Sequence, residues 1–98
     1  MPLTPAEITS RISRHPGWAY ANKSLARQFV FKGFPDAIAF VTRLAFDAEA
    51  ADHHPDLLIS YKRVTVTWST HSEGGVTEKD FDGVEQSDRI GEALGVRL

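Results

Sequence analysis

Val64-Thr65-Val66-Thr67-Trp68-Ser69-Thr70 is the stretch that decides the fold. Apolar Val64, Val66 and Trp68 alternate with Thr65, Thr67 and Ser69. A period of two sorts side chains onto opposite faces of an extended strand. The apolar face needs helices to cover it, and the Thr/Ser face looks away from them. Upstream lies Ile59-Ser60-Tyr61, so the pattern predicts a hairpin with Lys62-Arg63 as its turn.

Further upstream, Phe34-Pro35-Asp36 opens the strongest helix, with Ala37, Phe40, Val41, Leu44, Ala48 and Ala51 on one helical stripe. Pro55 limits its end, because the residue before a proline is pushed away from helical angles. Glu49 then lies in the last turns and shares a face with His53 as far as the helix persists; His54 falls beyond it. Before this helix, Trp18 to Ala21 is a short strand, Asn22-Lys23 a tight turn, and Leu25 to Phe31 a longer strand. Leu25, Phe29 and Phe31 mark the apolar side of that strand, and Arg27 breaks the pattern.

The chain opens on Leu3-Thr4-Pro5-Ala6-Glu7-Ile8, a helix start with Thr4 as cap, Pro5 at the first position, Glu7 closing a capping box and Leu3/Ile8 as a staple. That helix should fade near Arg14, before Pro16-Gly17. At the other end Gly74-Gly75 marks a loop. A last helix then starts with Thr77 as cap, Asp80 three residues on and a Val76/Phe81 staple. Gly83 and Gly91 are poor interior residues for it. The order α-β-β-α-β-β-α predicts an α+β fold: a four-stranded antiparallel sheet with three helices packed on one face, residues 1–98 forming a single domain.

A chain of 98 residues buries roughly 60–70% of the surface its unfolded form would expose, so its stability margin is thin and assembly would add to it. The apolar tail Leu94, Val96 and Leu98 needs cover, which also favours a homo-oligomer. The net charge of −2, without any Lys/Arg cluster, argues against nucleic acid as a partner. The apolar stretch from Ala37 to Phe46 carries Thr42 and Arg43 and is too short for a bilayer, so no membrane partner is expected. No signal-like segment is read at the start, which with the missing cysteine suits a cytoplasmic setting. The absence of cysteine removes disulfides, thiolate metal sites and a Cys nucleophile.

Three of the four histidines, His53, His54 and His71, fall between Glu49 and Asp80. Paired histidines at a helix end also suit the helix dipole, and Asp80 near a helix start suits capping, so each residue alone has a bland explanation. His15 and the tryptophans Trp18 and Trp68 read as structural. A zinc site is disfavoured: adjacent histidines diverge and the spacing is not that of an HExxH helix. No GxSxG elbow, GxGxxG or P-loop is present, so neither a serine nucleophile nor a nucleotide cofactor is expected.

Taken together, Glu49, His53-His54-Pro55, Tyr61, Ser69-Thr70-His71 and Gly75-Val76-Thr77 with Asp80 resemble the pterin-4a-carbinolamine dehydratase family. The resemblance extends upstream through Phe29 to Phe34 and Ala39-Phe40-Val41 and covers the chain from about Trp18 onward. It implies the same antiparallel four-stranded sheet with three helices. It implies dehydration of a 4a-hydroxytetrahydropterin to the quinonoid dihydropterin, the recycling step for tetrahydropterin. Such proton transfers suit imidazole, whose reference pKa is ~6.5, and need no metal or redox cofactor.

By motif position His54 and His71 look like the acid/base pair, with His53 binding and orienting the ring. Glu49 would hold ring N–H groups or tune a histidine, and Asp80 would orient His71. Many members carry a tryptophan where this chain has Leu57, which would alter packing over the pterin. The family forms homodimers and homotetramers. Some relatives serve instead as dimerisation partners of a transcription factor or as assembly helpers for a carbon-fixing enzyme, so a protein-binding module is the alternative reading. The complete histidine set favours the enzyme.

Overall fold

The structure, a computed structural model, describes residues 1–96. Helix α1 spans Pro5–Ile12, strands β1 and β2 span Ala19–Ala21 and Ser24–Val30, and helix α2 spans Phe34–Ala51. Strands β3 and β4 span Asp56–Ser60 and Arg63–Trp68; a single 3₁₀ turn, His71–Glu73, precedes helix α3, Glu78–Ala93. The four strands form one antiparallel sheet in the order β1-β2-β4-β3. This is the α+β architecture that the alternating patterns predict.

Local chemistry explains the element ends. Thr4 and Glu7 form the reciprocal capping box of α1, and Thr77 and Asp80 that of α3. Asn22 and Lys23 both take positive φ, 51° and 60°, which matches the right-handed twist of a two-residue hairpin. The second hairpin differs from the sequence reading. Ser60 pairs with Arg63, so its turn is Tyr61-Lys62 rather than Lys62-Arg63, and Tyr61 takes the positive φ. β3 also begins earlier, at Asp56, because it pairs with β4 as far as Thr67.

Val64, Val66 and Trp68 of β4 and Leu25 and Phe29 of β2 are buried against α2 and α3. Phe40 of α2 lies between Phe29 and Phe31, with ring centroids 4.8 and 5.0 Å away. Burying a ring of this kind contributes roughly 1.5–3 kcal/mol. Arg27 shares the core-facing register of Leu25 and Phe29, which is why the pattern there looks broken. Its guanidinium lies 4.2 Å over the Phe29 ring and 2.7 Å from Asp88 Oδ1, an oxygen that also accepts the Trp18 indole N–H at 2.9 Å. Leu94 and Val96 are half-buried against the core, which meets part of the need for cover; Leu98 lies outside the described residues.

Candidate functional site

The site is built where α2, β4 and α3 end or begin. α2 stops at Ala51, and Asp52 takes left-handed angles, φ 52° and ψ 41°. The Asp52 N–H donates to Glu49 O and the His53 N–H to Ala48 O, both at 3.1 Å. These bonds close the helix as a Schellman motif, with Asp in the place glycine usually takes. The helix therefore ends before His53, and the Glu49–His53 side-chain pairing one helical turn apart does not form. Glu49 Oε1 lies instead 2.8 Å from His54 Nε2, an exposed pair.

At the other side β4 ends at Trp68. Thr70 N–H and C=O bond Gly75 in a single antiparallel bridge. That bridge pinches off the turn carrying His71, and Gly74 closes it at φ 72°. His53, His54 and His71 then line one shallow cavity of about 290 Å³, together with Asp52, Thr70 and Lys79. Its volume lies near the lower end of small-molecule pockets. A narrower cleft of about 100 Å³ adjoins it, sharing His53 and Lys79 and reaching Trp68 and Gly83.

The three imidazoles are held very differently. His53 is mostly buried, its ring stacked on Trp68 at 5.4 Å, and its Nε2 lies 2.6 Å from Asp80 Oδ1. Asp80 is fully buried, and its Oδ2 accepts from Thr70 Oγ1 at 2.8 Å and from the Thr77 N–H at 2.9 Å. Toward an ionised Asp80, which can only accept, His53 Nε2 is the donor, and Nδ1 is the acceptor whenever the ring is neutral. His54 is about half exposed and held only by exposed Glu49, a pairing of little energetic weight. His71 is exposed and makes no side-chain hydrogen bond among the described residues.

His53, His54 and His71 share one cavity, as their spacing predicts, but Asp80 has another neighbour than expected. It bonds His53, not His71. Glu49 stands outside the cavity lining. Thr70, Thr77 and Lys79 were given no site role of their own. The Ser69-Thr70-His71 run was the signal for Thr70, and Thr77 was visible only as a cap. Leu57 is half-buried opposite Val66 and packs on the core. Among the described residues no cluster of three or more His, Asp or Glu side chains is arranged to hold a metal ion.

Fold and site together define a small α+β protein with a histidine-lined pocket fed from a helix end and a strand end. Residues 1–90 match the family described as Pterin 4 alpha carbinolamine dehydratase. A relative from Picosynechococcus sp., which bears the name "Putative pterin-4-alpha-carbinolamine dehydratase", is 51% identical over 80 residues, 82% of this chain and 87% of its own. A relative of the same name from Sulfolobus acidocaldarius is 44% identical over 90 residues, 92% of this chain and 99% of its own. The crystal structure of a "transcriptional coactivator/pterin dehydratase" from Brucella melitensis superposes with a TM-score of 0.89 at 36% identity, covering 93% of this chain and 99% of that one. A pterin dehydratase-like protein identified as a RuBisCO assembly factor in the alpha-carboxysome shares the fold alone, at TM-score 0.66 and 21% identity over 79% of this chain and 92% of its own. The chain belongs to the pterin-4-alpha-carbinolamine dehydratase family.

Proposed function

We propose that this protein dehydrates a 4a-hydroxytetrahydropterin to the quinonoid dihydropterin by general acid–base catalysis. In the reaction the C4a–O bond breaks as the hydroxyl gains a proton and leaves as water. The N5 lone pair forms the C4a=N5 bond and N5 loses its proton. One proton enters and one leaves, so the protein returns to its starting state with no redox change. His54 and His71 are the two carriers in this reading. Both are exposed at the cavity, where a bound substrate and water can reach their ring nitrogens. His53, clamped between Asp80 and Trp68, binds and orients the ring system through Nδ1.

The observation that carries the proposal is the convergence of three imidazoles on one cavity of about 290 Å³. The clamp on the innermost of them adds support. The test is turnover of a 4a-carbinolamine by the purified protein without added metal, followed by stopped-flow absorbance against the spontaneous reaction. His54→Ala and His71→Ala are each expected to lower turnover about 10²–10⁴-fold, down to the spontaneous floor. His15→Ala, whose ring lies 5.9 Å from Phe81 and outside the cavity lining, should leave it unchanged. Full activity in both site variants overturns the acid–base assignment. A wild type without activity moves the protein-binding reading ahead.

A further inference from the structure

Thr70 touches both halves of the site. Its Oγ1 donates to Asp80 Oδ2 at 2.8 Å, and Asp80 Oδ1 holds His53. Its backbone N–H and C=O pair with Gly75 and close the turn that displays His71, the next residue. The hydroxyl is buried and has a single proton. Given to Asp80, that proton leaves Thr70 Oγ1 to accept from Thr77 Oγ1 at 2.8 Å, while Thr77 Oγ1 in turn accepts the Lys79 N–H at 3.3 Å. The hydrogen bonds therefore run one way, from the first turn of α3 through two hydroxyls to the carboxylate. The imidazole meets that carboxylate from the other side. No buried side-chain polar atom among the described residues lacks a partner, so neither hydroxyl nor the Asp80 carboxylate can reorient without breaking a hydrogen bond.

We propose that Thr70 is a positioning residue: its hydroxyl sets the plane of the Asp80 carboxylate and so fixes the donor role of His53 Nε2. Its backbone independently places His71. The effect on turnover rests on the dehydratase reading above; the effect on His53 does not. Thr77 N–H alone cannot replace the hydroxyl, because it belongs to the capping box and approaches from the helix end. Losing the hydroxyl lets the carboxylate rotate about its terminal torsion, which is soft.

The variants are Thr70→Val, which keeps the branched shape and loses the donor, and Thr70→Ser, which restores it. The first readout is nitrogen and proton NMR of the three site imidazoles. In Thr70→Val the His53 Nε2–H resonance is expected to move and broaden while His54 and His71 stay in place, and in Thr70→Ser it returns. Turnover should fall roughly 10–100-fold in Thr70→Val, the scale of a small misplacement, with KM little changed, and recover in Thr70→Ser. An unmoved His53 signal in Thr70→Val overturns the proposal. So does a displacement of all three imidazoles together, which would mark a merely structural role. If Thr70→Val does not fold, Thr70→Cys, a small side chain with only a weak donor, is read by the same signals. Should the wild type show no dehydratase activity, the NMR comparison still decides the role of Thr70 and the catalytic reading alone fails.

Discussion

Gly83→Ala places a methyl group where the Trp68 ring already lies. A Cβ built on Gly83 meets Trp68 Cδ2 and Cε2 at 2.4 Å and Cε3 at 2.8 Å. Unbonded carbons rest about 3.5–4.0 Å apart, so ring or helix must yield by more than about 1 Å. Trp68 has little room to yield. It is 1% exposed, its indole N–H is bonded to Ser87 Oγ at 3.0 Å, and its ring stacks on His53. Alanine gains about 1 kcal/mol over glycine in a helix interior. Overpacking a dense core costs about 1–3 kcal/mol and sometimes more, and an overlap this deep belongs at or above the top of that range. The net expectation is a loss of about 2 kcal/mol. At 4–8 °C per kcal/mol for a domain of this size, Tm should fall by about 8–16 °C. Thermal and urea unfolding measure this at one fixed protomer concentration, because assembly would itself raise the midpoint. Gly91→Ala, whose Cβ meets Phe29 at 2.9 and 3.0 Å, should cost less. A Gly83→Ala protein as stable as wild type would refute the reasoning: helix propensity, not the approach of Trp68, would then govern that position.

Asp80→Asn keeps the size of the side chain but offers one acceptor oxygen where three donors now converge on two. A buried donor left unpaired costs about 1–3 kcal/mol, so urea unfolding should show a loss of that order, with turnover between wild type and the histidine variants. Unchanged stability would show that the buried carboxylate is not needed as an acceptor on both oxygens. The Arg11 guanidinium, 2.6 Å from Glu78, holds that carboxyl below its ordinary value. A depressed folded-state value means that the contribution is complete above the unfolded value and fades as pH falls through the folded one. Glu78→Gln should therefore be slightly less stable than wild type at pH 7, by a few tenths of a kcal/mol for so exposed a pair, and equal to it well below the carboxylate range; a gap that widens on acidification contradicts this. β3 leaves an unpaired sheet edge with Leu58, Ile59 and Tyr61 exposed, so sedimentation at micromolar concentration is expected to show a homodimer or homotetramer, and a monomer would refute it.

Much of the molecule was legible in the sequence because the signals are local. The Val/Thr alternation of β4, the apolar stripe of α2, the capping boxes at Thr4 and Thr77 and the Asn22-Lys23 turn each depend on residues within one or two turns of each other. The spacing of His53, His54 and His71 was legible too, through its resemblance to a family pattern. What only tertiary structure decided involves residues far apart in the chain. Asp80 could have served His71, nine residues away, as well as His53. The close of α2 at Asp52 swings His53 toward Trp68 and His54 toward Glu49, and that reversal settles the pairing. Arg27 looked like a fault in a strand until Asp88, 61 residues later, supplied its partner. Gly83 and Gly91 looked like weak points of α3, and they are the places where Trp68 and Phe29 press against the helix backbone. Propensity is a property of a short segment; a close contact between two segments is a property of the packed core, and where they conflict the core decides.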